Sequence, residues 1–335
     1  MKIKLKILIV SIVFVGSLFS QSKVGTTAAN FLTIPVGSKA SGMGGAFVAN
    51  ANDATALFWN PGAISRLPRS EFNVSYSDWL VGTSFNWLGV ALKLSDNSAF
   101  GLSINQLNYG EEEITTASRP DGTGEKWKAQ DIAFTATYAQ NLTDRFSIGG
   151  SVKYIHQQIW NQVASAFALD IGLLFNTQLD GLRIGMNIAN FGTELKLSGK
   201  DLLQAIDIDP ANTGNNDRIT GSLDTESWTL PLMFTVGLGY DVVKTEDWQI
   251  MVATDAVYPN NQTSYFNLGG EFTWSDMVSF RVGYNSLFKE AAEERFSAGV
   301  GLKYNFGAFY SRIDYSYTEF GIFNEISRIS VSIGF

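Results

Sequence analysis

The chain of 335 residues has no cysteine, one histidine and only 7 prolines. Without cysteine there is no disulfide framework, thiol nucleophile, zinc–thiolate site or iron–sulfur cluster. With one imidazole, His156, there is no histidine-cluster metal site. Charge is scarce as well: 17% of residues are Asp, Glu, Lys or Arg, against about a quarter in ordinary soluble domains. Cations number 24 against 32 acids, a formal net charge of −8, so a general nucleic-acid binder is excluded. Beyond the first residues no stretch approaches ~18 consecutive apolar positions, so no transmembrane helix is expected. With so much enzyme chemistry removed, neither a catalytic centre nor a cofactor is expected.

The first twenty residues have the grammar of a secretory signal. Lys2, Lys4 and Lys6 are followed by an apolar stretch from Ile7 to Val15 broken only by Ser11, then by the small residues Ser17, Ser20 and Ser22. Cleavage after Ser20 or Ser22 fits this pattern, and the apolar run is short for the ~20 residues of a spanning helix. Removal of residues 1–20 takes those three lysines away, leaving 21 of the 24 cations against 32 acids. An exported, acidic protein is expected.

From Glu71 onward the pattern has period 2. Phe146, Ile148, Gly150, Val152 and Tyr154 alternate with Ser147, Gly149, Ser151 and Lys153; Phe296, Ala298, Val300, Leu302 and Tyr304 alternate with Ser297, Gly299, Gly301 and Lys303. A run from Leu230 to Tyr240 and the final run Ile329 to Phe335 do the same. One face is apolar and the other small or polar, with few charges, whereas a soluble sheet would carry charge on its exposed face. Strands are placed at 71–79, 84–94, 98–109, 129–140, 145–158, 164–177, 181–190, 229–243, 247–257, 263–274, 278–287, 295–305, 309–318 and 326–335. Most are at least as long as the ~9–11 residues of a tilted membrane-crossing strand. Every second connection is tight, as at Ser95-Asp96-Asn97, Leu142-Thr143-Asp144 and Lys244-Thr245-Glu246, while 110–128 and 191–228 are long and polar. Aromatic residues gather at both ends: Trp248, Trp274, Phe309 and Phe335 by the short turns, Tyr109, Trp127, Trp160 and Tyr258 by the long loops. Turn asymmetry and two aromatic bands define an all-β, fourteen-stranded antiparallel transmembrane barrel over 71–335, in an outer membrane and touching its lipid, with its C-terminus on the periplasmic side.

Residues 21–70 do not alternate. They contain Gly42-Met43-Gly44-Gly45, then Asp53, and Asn60-Pro61-Gly62. Glycine permits close backbone approach and Asn-Pro starts a turn; Asp53 is placed to cap a short helix over Ala54–Phe58. No strand–turn–helix context makes the glycines a phosphate cradle. A compact plug packed against the small inward face is expected. The runs Gly25-Thr26-Thr27-Ala28-Ala29-Asn30-Phe31-Leu32, Gly42-Met43-Gly44-Gly45-Ala46-Phe47-Val48 and Ala56-Leu57-Phe58-Trp59-Asn60-Pro61-Gly62 resemble the PorV/PorQ family, within the FadL-like outer-membrane barrels. That resemblance implies an N-terminal hatch inside a fourteen-stranded barrel of a Gram-negative bacterium. It also implies one of two functions. One is an accessory role in type IX protein secretion, binding translocon or exported cargo proteins through loops and rim; the other is a channel for hydrophobic small molecules such as fatty acids. Asn60-Pro61 matches the Asn-Pro-Ala motif of FadL-type members, and Gly62 departs from its Ala.

Strand parity puts Lys93, Arg281, Lys303 and Arg312 on the inward face within three or four residues of the periplasmic rim, with Glu271 at similar height; at ~3.3 Å per residue this is one narrow band. Such a band could hold the hatch through its backbone carbonyls and Asp53, or could be solvated in a water-filled lumen. Asp170 and Asp255 also fall toward the lumen. Asp207, Asp209, Asn212, Asn215 and Asp217 gather oxygens in one loop, but Ala211 and Asn212 break the EF-hand spacing. Glu111-Glu112-Glu113, Glu290, Glu293 and Glu294 are expected as solvated loop acids. His156 has no nucleophile or carboxylate partner near it in sequence, which leaves a rim residue. For protein binding, an exposed apolar surface is expected at Leu195, Leu197, Leu202, Leu203 and Ile206, with 200–206 able to form a short amphipathic helix. For a channel, an apolar pocket and a break in strand bonding near a glycine pair or Pro231 are expected.

Overall fold

A computed structural model of the chain describes residues 24–209, 211–212, 218–289 and 292–335. The signal segment 1–20, Asn215, Asp217 and Glu290 lie outside the described residues. Fourteen long strands form: β1 (Glu71–Asp78), β2 (Ser84–Ser95), β3 (Ser98–Glu113), β4 (Lys126–Asn141), β5 (Phe146–Ile159), β6 (Gln162–Asn176), β7 (Leu182–Gly192), β8 (Met233–Lys244), β9 (Trp248–Pro259), β10 (Tyr265–Trp274), β11 (Val278–Leu287), β12 (Glu294–Phe306), β13 (Phe309–Phe320) and β14 (Glu325–Gly334). Each pairs antiparallel with its sequence neighbours, and β1 pairs with β14 from Glu71↔Gly334 to Ser77↔Arg328, which closes the barrel. Closure leaves no long edge unpaired, the condition for a sheet to cross hydrocarbon.

The two-residue period is visible in the burial. Val74, Leu102, Phe134, Val152, Leu169, Leu238, Val300 and Ile329 face outward and exposed, while Ser103, Thr135, Ser151, Thr235, Ser297, Ser316 and Ser330 face inward and are buried. An apolar exterior over a small polar interior is the inverse of a soluble sheet, and it follows from a lipid solvent that accepts no polar side chains. On the long-loop side one connection is tight: β5 and β6 are joined through Trp160 and Asn161 alone, with Trp160 at φ +51°. The run expected as strand from 229 begins at Met233, because Pro231 cannot donate to a ladder and Leu230 is buried instead.

The 193–232 connection departs further from expectation. Leu195 is buried and Leu197 packs against the core, since Leu195–Lys196 pairs with Ser227–Trp228 and folds back over the barrel. Residues 200–206 form no amphipathic helix. After one 3-10 turn at Lys200–Leu202, Leu203–Ile206 pairs with Ile219–Ser222 as a hairpin. Its ladder bonds satisfy the backbone without helix, and Leu203 and Ile206 are exposed.

Ahead of β1, short helical pieces alternate with turns: a 3-10 turn at Asn30–Thr33, α1 (Ser38–Gly42), α2 (Ala56–Trp59) and a 3-10 helix at Pro61–Arg66. Phe31, Leu32, Val36, Ala40, Met43, Phe47, Leu57 and Ile64 are buried with inward barrel residues such as Phe85, Trp87 and Ile155. Asp53 stands two residues before Thr55, the N-cap of α2; its Oδ1 accepts the Thr55 backbone N–H at 2.9 Å and so caps the preceding turn. Contact with the wall is made backbone to backbone. Gly44, at φ +64°, comes so near β11 that a Cβ would lie 2.7 Å from the Tyr284 nitrogen, and a Cβ on Gly62 would lie 2.6 Å from the Gly172 oxygen. The Gly62 departure thus has a local cause, because an alanine methyl there meets β6 main chain. Gly172→Leu, whose Cβ would lie 2.7 Å from the Pro61 nitrogen, should displace the Asn60–Gly62 turn. Limited proteolysis should then cut within 24–70 while the barrel keeps its heat-modifiable migration; an uncut segment would contradict the packing described.

Candidate functional site

The inward charges of β10, β11, β13 and β1 meet the N-terminal segment in one buried cluster. Arg281 Nε donates to Glu271 Oε2 at 2.5 Å and its Nη1 to Asp314 Oδ1 at 2.7 Å. Arg312 Nε donates to Asp314 Oδ2 at 2.8 Å, so the two guanidiniums share one carboxylate. Arg312 Nη2 then reaches Asp53 Oδ2 at 2.7 Å and lies 3.7 Å from Glu71 Oε1. Lys39 Nζ, from α1, sits 3.7 Å from Glu271 and donates to Asn52 at 2.7 Å. Glu71 accepts the Ala54 N–H at 3.2 Å and the Tyr310 hydroxyl. Three cations and four carboxylates are therefore interleaved, and charge-assisted bonds of this kind compensate ions removed from water.

Of the five band residues, Glu271, Arg281 and Arg312 come together in this cluster. Lys93 and Lys303 do not join it: Lys93 lies 3.5 Å from Asp96 and Lys303 donates to Asp276 at 2.6 Å, both in the periplasmic turns. Their long stems carry the ammonium out to water and the nearest turn carboxylate. Nor do the arginines bond backbone carbonyls of the segment; their acceptors are Asp53, Glu271, Asp314 and Ser332. The sequence reading missed Lys39, Glu71 and Asp314. Strand parity puts Asp314 beside Arg312 on one face, a signal that was available; Lys39 lies in a segment without periodicity and gives none.

Further anchors run up the wall. Asp255 Oδ2 accepts the N–H groups of Phe47 and Val48 at 2.8 and 2.9 Å. Asn60 Nδ2 donates to Val48 O at 2.8 Å and to Leu173 O of β6 at 2.9 Å, and its Oδ1 accepts Gly62 N–H at 3.1 Å. Arg66 donates to Ser147 and to the carbonyls of Thr143 and Asp144. Pro61 needs no donor where it stands, at the start of the 3-10 helix. The Gly42–Gly45 run is a tight turn against β10–β12.

Above the segment, toward the long loops, a side chain takes the place of a ladder bond at two of the register shifts. Between β6 and β7 the register slips at Asp170, whose Oδ1 accepts the N–H of Asn190, at φ +64°, at 2.8 Å; Asn190 Nδ2 donates to Pro231 O at 3.0 Å. Lys153 pairs with Asp170 at 2.6 Å. Between β10 and β11 the same device recurs, Asn267 Oδ1 accepting Ser286 N–H at 3.0 Å. A cavity of about 260 Å³ lies between these breaks and the segment. Glu294 turns inward to it and accepts Asn285 Nδ2 at 2.6 Å, so it is no solvated loop acid. Lys289, from the β11–β12 loop, donates to Gln262 at 2.6 Å; burial lowers its pKa from the ordinary value against the opposing pull of Glu294 and Glu293.

Other candidates stay apart. His156 bonds Ser165 at 3.0 Å on the outward face, whereas Asp131 points inward to Tyr109. Asn212 bonds Asp209 at 2.6 Å, and among the described residues no three His, Asp or Glu side chains gather as a metal site. Glu111 lies 3.7 Å from Lys126, and Glu113 accepts the Gly124 N–H at 2.7 Å.

A closed fourteen-stranded barrel, apolar outside and polar within, is an outer-membrane barrel of a Gram-negative bacterium. The family described as "Type IX secretion system protein PorV" matches residues 18–206, more than half of the chain, and the chain belongs to that family. No curated protein sequence matches at a significant level. Solved structures share the fold at low identity. A Pseudomonas aeruginosa FadL homologue has 13% identity and a TM-score of 0.53, covering 90% of this chain and 98% of its own. The CymD monoaromatic hydrocarbon channel has 12% and 0.59, covering 90% and 96%. The Ralstonia pickettii toluene transporter TbuX has 12% and 0.55, covering 89% and 97%. The barrel is thus FadL-like in fold.

Removing one partner of a buried ion pair costs about 3–5 kcal/mol. Changing Arg281 and Arg312 together to Ser should therefore expose residues 24–70 to protease, whereas Lys93→Ser with Lys303→Ser should not. Unaltered protection in the arginine double variant would contradict the cluster's role.

Proposed function

We propose that the protein is an accessory of type IX secretion that engages translocon or cargo proteins through its extracellular loops and rim, with residues 24–70 as a hatch held by the Asp53–Arg312 cluster. Membership of the PorV family supports the secretion role. The observation that carries the binding mode is the state of three neighbouring loops. Val81 after β1, Phe288 after β11 and Ile322 after β13 are 84%, 83% and 83% exposed. Val81 is held at φ +54° and Phe288 at φ +67°, a region that β-branched and bulky residues rarely adopt. Backbone strain at functional loops is kept only where the surroundings over-determine it. Apolar tips presented this way on one rim form a contact patch for a protein partner.

A second reading, a channel for hydrophobic small molecules such as fatty acids, draws on one specific observation: the ladder break at Asp170/Asn190 beside Pro231 adjoins a cavity. The two readings separate in cells. Val81→Ser, Phe288→Ser and Ile322→Ser combined should leave the barrel in the outer membrane but make type IX cargo accumulate in the periplasm. Wild-type secretion with lost uptake of a hydrophobic solute would favour the channel instead.

A further inference from the structure

The cavity between the segment and the β7–β8 wall holds a polar group that the described residues leave unused. Asn187 is 6% exposed, lines the cavity and, among the described residues, has no hydrogen-bond partner for Oδ1. Thr235 stands directly opposite it on β8 and also lines the cavity. Across from them lie Phe58 and Trp59 of the segment, half-buried, their rings edge-to-face at 5.2 Å. The Trp59 ring is fixed by its Nε1 donating to Val36 O at 2.8 Å. The roof is the Lys289–Gln262 bond of 2.6 Å.

Size, charge and polarity each narrow the occupant. A volume of about 260 Å³ lies just under the ~300 Å³ at which pockets for drug-sized ligands begin, a size that suits a single ring. The lining charges offset one another: Lys153 is paired with Asp170 at 2.6 Å, Lys289 donates to Gln262 at 2.6 Å, and Glu293 and Glu294 stand beside them. Two lysines against two glutamates give the cavity no net charge to select an ion. A wholly apolar ligand would leave the Asn187 carbonyl without a donor, which is costly in a buried site. What remains is a neutral ring with an apolar face for an aromatic platform and hydroxyls at its edge.

We propose that this cavity binds a single sugar residue, stacked on Trp59 and hydrogen-bonded by Asn187 and Gln262, and that the bound sugar ties the N-terminal segment to β7 and β8. Because the segment supplies one wall and the barrel the other, an occupant favours the seated segment over a displaced one. The inference stands apart from the secretion reading, since it needs neither translocon nor cargo.

The test uses the full-length protein in detergent, titrated calorimetrically with glucose, galactose, mannose and N-acetylglucosamine, with toluene as the apolar probe. At least one sugar should bind saturably and slow proteolysis of residues 24–70. Asn187→Leu should weaken that sugar by about tenfold, the order of one lost hydrogen bond. Gln262→Ala, on a loop outside the barrel's ladder, should weaken it while leaving the fold intact. Failure of all four sugars to saturate, saturation by toluene alone, or unchanged affinity in both variants would overturn the proposal.

Discussion

Two arginines in the barrel wall cannot be left facing an empty lumen without partners, and this constraint orders the lower half of the molecule. Arg281 and Arg312 lie on strands separated by β12, and Asp314 bridges them at 2.7 and 2.8 Å. That shared carboxylate fixes the Arg312 fork so that Nη2 points at Asp53. Asp53 in turn bonds the Thr55 N–H and sets the turn that leads into α2. A buried ion pair is weak as a source of stability but strict about geometry. Here that strictness acts between parts of the chain distant in sequence, and it gives the segment one position.

The second constraint is steric. Backbone-to-backbone contact at Gly44–Tyr284 and Gly62–Gly172 is possible only because the approaching residue of the segment carries no Cβ. The small residues facing inward thus have two roles: they line a polar lumen, and they let helical turns dock on strands. The polar bonds of Asp255 to Phe47 and Val48, and of Asn60 to Leu173, then satisfy main-chain groups that the segment's irregular path leaves open. Above this level the wall loosens. Side chains of Asp170 and Asn267 replace ladder bonds, and the cavity sits between those substitutions.

The barrel was legible because its information is local and periodic. Alternation along β5 or β12 fixes which face meets lipid, and the tight turns fix strand order, so all fourteen strands form within a few residues of expectation. Arg281, Arg312 and Glu271 were readable from parity for the same reason. Lys93 and Lys303 share that parity, but a long flexible stem at the rim takes its partner from the turn, which parity does not see. Lys39 and the bonding partners of Asp255 depend on the path of a segment with no period. Leu195 and Leu197 looked like exposed loop residues because the sequence does not reveal that Ser227–Trp228 folds back to pair there. The bulges at Asn190 and Ser286 need positive φ at residues other than glycine, and composition does not mark those positions.

These contacts should hold the segment as firmly as the ladder holds the barrel around it. Hydrogen exchange of the intact protein measures this directly, since amides report the free energy of local opening. The N–H groups of Phe47, Val48 and Asn60, bonded to Asp255 and to Ala56 O, should exchange as slowly as those of β10 and β13. Exchange at the rate of the exposed 114–125 loop would show that the segment opens independently, and would contradict the account.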